Sequence, residues 1–93
     1  MAGHVKVLLH ATFREIAGQR EIVEEVNSSS TLGDVLEKLA KKYGRDFNEI
    51  VDSKTDQISS EVLVTVNGKS VRKTDVKLED KDVVMITVPV GGG

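Results

Sequence analysis

The residues best placed to do chemistry are the last ones, Thr87-Val88-Pro89-Val90-Gly91-Gly92-Gly93, where the final glycine carries a free α-carboxylate. Such a group is ionised at neutral pH, with a pKa of about 3.3–3.7, and is inert as it stands. It becomes reactive once another enzyme adenylates it, because the mixed anhydride is open to attack by a sulfur donor or an amine. Gly91, Gly92 and Gly93 have no β-carbons, so the backbone there fits a narrow site where side chains would clash. Pro89 fixes its own φ and offers no N–H, which discourages a preceding strand from running on into the tail. Fully extended, Val88 to Gly93 would span about 20 Å at ~3.3–3.6 Å per residue, enough to enter a partner's buried site. Ordering such a tail costs roughly 1–2 kcal/mol per residue, so a second docking surface on the body should supply affinity.

Other chemistry finds little support. There is no cysteine, which excludes disulfides, iron–sulfur clusters, thiolate metal sites and a cysteine nucleophile. Any sulfur chemistry must therefore sit on another group. His4 and His10 have a spacing unlike a metal-ligand pair, Asp80 and Asp82 read as solvated turn residues, and Lys38, Lys41 and Lys42 read as a basic helix edge. There is no GxxxxGK phosphate loop and no nucleophilic Ser/His/Asp set. A net charge of −2 gives no electrostatic case for nucleic acid or an anionic membrane surface. No apolar run approaches the roughly 20 residues that span a bilayer, and the start lacks a signal peptide's apolar region, so a cytoplasmic protein is expected. Ninety-three residues make one domain with a modest core and little room for an internal cleft. The expectation is a carrier or cosubstrate with no bound cofactor or metal, not an autonomous enzyme.

The body must hold the tail out. Val5, Val7, Leu9, Ala11 and Phe13 alternate with Lys6, Leu8, His10 and Thr12, which predicts a strand over 5–13 with one buried face. After a turn or short helical loop at Gly18, residues 21–26 read as its antiparallel partner, with Ile22, Glu24 and Val26 on one side. Thr31 and Asp34 form a capping-box pair ahead of Leu32, Val35, Leu36, Leu39, Ala40 and Tyr43, a continuous apolar stripe of one helix that Gly44 closes. Residues 45–51 could make a helical turn through Phe47, Ile50 and Val51, and 52–60 read as a polar loop without an assigned role. Val62, Val64 and Val66 make a strand face, Asn67-Gly68 signals a hairpin, and 69–72 is the returning strand. A turn at 79–82 precedes a last strand over 83–88. Two strands, one helix and three strands predict an α+β fold in which one helix covers one face of a mixed sheet.

The run Ala11-Thr12-Phe13-Arg14-Glu15-Ile16-Ala17-Gly18, the helix from Thr31, Val64-Thr65-Val66-Asn67-Gly68-Lys69, Leu78-Glu79-Asp80-Lys81-Asp82-Val83-Val84 and the glycine tail resemble, in order, the MoaD/ThiS family of sulfur carriers. The resemblance covers nearly the whole chain and is strongest for the MoaD branch (the small subunit of molybdopterin synthase) and the small archaeal modifier proteins. It implies a β-grasp, ubiquitin-like fold of about five strands in the order 2-1-5-3-4, as a body over 1–88 with a tail over 89–93. It also implies the partners. A MoeB/ThiF-like, ubiquitin-activating-type enzyme would adenylate Gly93 with ATP, and a sulfurtransferase would convert the adenylate to a thiocarboxylate. A MoaE-like large subunit would then use that sulfur on a pterin precursor, whereas in a protein modifier Gly93 would join target lysines; a β-grasp binding module with an incidental tail is the third possibility. One departure is that the family usually has an aromatic residue and two prolines where this chain has Thr87-Val88-Pro89.

With that strand order, side-chain parity predicts the docking surface. If odd positions of the first strand face the helix, Leu8 faces away, as do Leu63 and Thr65, and Met85 and Thr87. Leu8, Leu63, Met85 and Thr87 would then form a partner-binding patch on the uncovered face behind the tail.

Overall fold

The computed structural model describes residues 3–88, so the expected tail, Pro89 to Gly93, lies outside the described residues. The elements run β1 (Gly3–Leu9), α1 (Ala11–Ala17), β2 (Glu21–Val26), α2 (Leu32–Tyr43), a 3-10 turn (Arg45–Glu49), β3 (Val51–Asp52), β4 (Gln57–Ile58), β5 (Leu63–Val66), β6 (Lys69–Ser70) and β7 (Val83–Thr87). Five strands form one mixed sheet in the order β2-β1-β7-β5-β6. Counting only those five along the chain, this is the order 2-1-5-3-4 of the β-grasp fold. β7 lies parallel to β1 and antiparallel to β5, and each hairpin pair is antiparallel.

Alternation decides which face is buried. Val5, Val7 and Leu9 of β1, Ile22 and Val26 of β2, Val64 of β5 and Val84 and Ile86 of β7 join Leu32, Val35, Leu36 and Leu39 of α2 in one core. The helix starts where its sequence says: the Asp34 N–H donates to Thr31 Oγ1 at 3.3 Å, and the Thr31 N–H donates to Asp34 Oδ2 at 3.0 Å. Such a cap contributes about 1 kcal/mol. Asn67 and Gly68 turn with φ of 52° and 87°, the left-handed geometry that a two-residue hairpin requires. The Asn67 side chain reaches on to the last strand. Its Oδ1 accepts the Val83 N–H at 2.9 Å and its Nδ2 donates to Asp82 Oδ1 at 2.9 Å.

Three expectations need correction. The first strand ends at Leu9, and Ala11 and Phe13 belong to a second α-helix, α1. Residues 11 and 13 fit an alternating strand, but Phe13, Ile16 and Ala17 also fit one helical face, and tertiary packing selects that face. Phe13 is buried edge-on against Phe47, with ring centroids 5.2 Å apart. Gly18 ends the helix in the left-handed region at φ 76°, its N–H donating to the Arg14 carbonyl at 2.9 Å. The segment 52–60 is not simply a polar loop: β3 and β4 pair across it, and Ile58 is 1% exposed in the core. The returning strand is short, Lys69–Ser70, because the Arg72 carbonyl turns away to accept the Ile58 N–H at 2.8 Å.

The buried Ile58 gives a direct check. Ile58→Ala should lower unfolding free energy by about 2–4 kcal/mol in chemical denaturation. A solvated loop position would change it by about 0.5 kcal/mol or less.

Candidate functional site

The tail leaves from the middle of the sheet. β1 and β7 are parallel, so Leu9 and Thr87 end at the same edge, and the His10 N–H donates to the Ile86 carbonyl at 3.1 Å. Val88, the last described residue, is half-buried and packs against the core cluster. A groove of about 170 Å³ runs beside it, lined by Thr12, Asp46, Glu49, Glu61 and Val62 among others. Thr12 Oγ1 donates to Asp46 Oδ2 at 3.1 Å, tying α1 to the 3-10 turn under this groove. The root of the tail is thus held on both sides, while Pro89, Val90, Gly91, Gly92 and Gly93 lie outside the described residues.

The four residues expected to form a patch occupy the sheet face opposite α2. Leu8 pairs in register with Met85, Met85 with Thr65, and Thr87 with Leu63. The parity is therefore as expected, and Leu8, Leu63, Met85 and Thr87 adjoin one another across three strands. All four are half-buried, since neighbours on the same face shield part of each side chain. Thr65 is the most covered of the row at 9% exposed. Leu63 sits diagonally from Met85, one register step nearer the tail.

Two features of this face escaped the sequence reading. Val23 is 57% exposed, the single strongly exposed large hydrophobic residue among the described residues. It pairs with Lys6, which pairs with Val83, so two valines flank a lysine in a row farther from the tail. Alternation against Ile22 could have found it. The second is a hollow of about 430 Å³ at the tail end of β1, lined by Leu8, Leu9, His10, Arg14, Arg20 and Glu21. No local pattern announces it, because α1 and β2 must first fold against β1. Among the described residues, no group of three or more His, Asp or Glu side chains is placed to hold a metal ion, and no helix is long and apolar enough to cross a membrane.

Comparison with known proteins agrees with the topology. The sequence profile of the ThiS family matches residues 7–93. Small archaeal modifier protein 3 of Haloferax volcanii is 35% identical over 86 residues, covering 89% of this chain and 91% of that protein. The solution structure of the Haloferax volcanii HVO 2177 protein superposes with a TM-score of 0.82 at 30% identity, over 99% of this chain and 88% of that one. A putative molybdopterin converting factor, subunit 1, from Pyrococcus furiosus gives 0.77 at 32% identity, over 95% of this chain and 99% of that one.

Adjacent residues of β7 should respond oppositely to charge. Met85→Glu, on the open face, should cost about 1 kcal/mol and leave a cooperative thermal transition. Ile86→Glu, in the core, should cost roughly 5 kcal/mol and abolish the transition, because an unpaired carboxylate would be buried. Circular dichroism melts of the two variants make the comparison.

Proposed function

The chain belongs to the ThiS family of ubiquitin-like sulfur carriers and modifiers, and on that premise we propose that it carries sulfur for molybdopterin synthesis on the carboxylate of Gly93. The observation that carries this reading is the continuity of a central, doubly paired strand with a sequence of one proline and three terminal glycines. The body gives a rigid base, and the tail gives slim reach. Likeness to the Pyrococcus furiosus protein, named as a putative molybdopterin converting factor subunit, supports the pterin branch.

The chemistry requires partners. A carboxylate oxygen of Gly93 attacks the α-phosphorus of ATP on a MoeB/ThiF-like enzyme, and pyrophosphate leaves. The terminal sulfur of a persulfide on the sulfurtransferase then attacks the carbonyl carbon of the adenylate and AMP leaves. A second thiol cleaves the resulting acyl disulfide, which frees the thiocarboxylate and leaves a disulfide on the thiol's side. Sulfur so held is a strong nucleophile that stays tethered while the tail enters a MoaE-like subunit. The body contributes docking through Leu8, Leu63, Met85 and Thr87, which offsets the entropy of ordering the tail. The chain acts as a cosubstrate, and its own side chains perform no bond-making step.

A second reading has its own support in the 35% identity to a small archaeal modifier protein. There a lysine amine, in place of sulfur, displaces AMP, and Gly93 ends in an isopeptide bond. Both readings share the adenylate and the docking face.

Deleting Gly93 should abolish ATP–pyrophosphate exchange by the cognate adenylating enzyme while leaving the melting temperature unchanged. Full exchange by the deletion variant would remove the basis of either reading. Sulfur carriage further expects intact protein heavier by one oxygen-to-sulfur exchange, lost on adding pterin precursor and large subunit. Glycine remnants on cellular lysines that disappear with Gly93, together with pterin synthesis independent of this protein, would select the modifier instead.

A further inference from the structure

The hollow beside Leu8 carries charge that the fold does not use. Arg14 and Arg20 are both exposed, and among the described residues neither guanidinium is ion-paired. Glu21, the carboxylate on the same rim, already sits 3.8 Å from Lys6 Nζ. His10 adds a third nitrogen-bearing side chain, and the half-buried Leu8 on the open face adds an apolar wall. In a chain of net charge −2, two free guanidinium groups on one small concavity are a local reversal of sign. Guanidinium groups present forked donors that match carboxylates in a bidentate way.

Position makes the reversal useful. The hollow lies at the end of β1 that adjoins the end of β7, and Leu8 belongs both to its lining and to the open-face row with Met85. The groove on the other flank of the tail root is acidic, with Asp46, Glu49 and Glu61 beside Val88. A surface approaching the tail therefore meets positive charge on one flank and negative charge on the other. An acidic segment is drawn to the Arg14 side and repelled from the Asp46 side, which fixes one orientation of approach.

We propose that the Arg14–Arg20 hollow receives a carboxylate-bearing segment of the adenylating enzyme, an acidic residue next to an apolar one, and so sets the direction in which the tail is handed to that enzyme. The occupant is a protein segment because the basic rim is continuous with the apolar row. The proposal rests on the adenylation reading above and adds the partner's chemistry to it. Charges at the edge of an interface govern encounter rate and specificity more than final affinity. The signature is therefore a kinetic, salt-sensitive one.

The experiment uses the full-length chain and the purified cognate adenylating enzyme, with ATP–pyrophosphate exchange followed as carrier concentration and salt vary. Arg14→Glu/Arg20→Glu should raise the KM for the carrier about tenfold at low salt, leave kcat at saturation unchanged, and flatten the salt dependence. Arg14→Gln/Arg20→Gln should show a smaller rise in the same direction, and Arg14→Lys/Arg20→Lys should recover most of the wild-type value. Lys41→Glu/Lys54→Glu changes net charge equally on exposed residues elsewhere and should leave KM within about twofold. Equal KM for the Arg14/Arg20 variants and wild type, or an equal rise in the Lys41/Lys54 variant, overturns the proposal. So does a fall in KM, which would mean that the chain's own Gly93 carboxylate had been occupying the hollow. An intact response to Leu63→Glu and to Gly93 deletion alongside unaffected Arg14/Arg20 variants removes this inference alone; exchange insensitive to Gly93 deletion removes the adenylation reading itself.

Discussion

The pairing of β7 with β1 on one side and β5 on the other is the constraint on which the rest of the structure depends. The last strand of the described chain is also the middle strand of the sheet. Val84 and Ile86 are fully buried there, and the same strand presents Met85 and Thr87 to the opposite face. One segment therefore anchors the core and contributes to the open-face row, and it ends where the described chain ends. A substitution that shifted its register by one residue would exchange these roles.

Several devices hold β7 in that register. At its start, Asn67 bonds both the Val83 backbone and the Asp82 carboxylate, so the hairpin turn that ends β5 also fixes where β7 begins. At its end, α1 packs against the strand, and Val88 meets the core before the chain leaves. Aromatic packing among Phe13, Tyr43 and Phe47 ties α1, α2 and the 3-10 turn together beneath that exit. All three aromatic residues of the sequence are thus gathered below the tail root.

What the sequence made legible was local. Thr31 and Asp34 cap a helix within a single turn, and Asn67-Gly68 closes a hairpin by itself, so both could be read without knowing the fold. Parity placed Leu8 opposite Val7 for the same reason. Phe13 and its neighbours satisfy two periods at once, and only contact with Phe47 selects the helical one. Ile58 is a lone apolar residue among polar ones, with no periodic signal to mark its burial. The hollow of Arg14 and Arg20 required α1 and β2 to meet beside β1, which no short window contains.

The parallel contact of β1 with β7 joins the two extremes of the described chain. Contacts of such wide sequence separation form late and slowly, since the intervening loop must close before the pairing rewards it. The β1–β2 hairpin and α2 can assemble early from neighbouring residues, but the sheet lacks its centre until the final segment inserts. A copy in which that segment fails to insert thus has no ordered base beneath its last described residues. The order of the last described strand, and so of the point from which the chain continues, therefore depends on closure of the whole sheet.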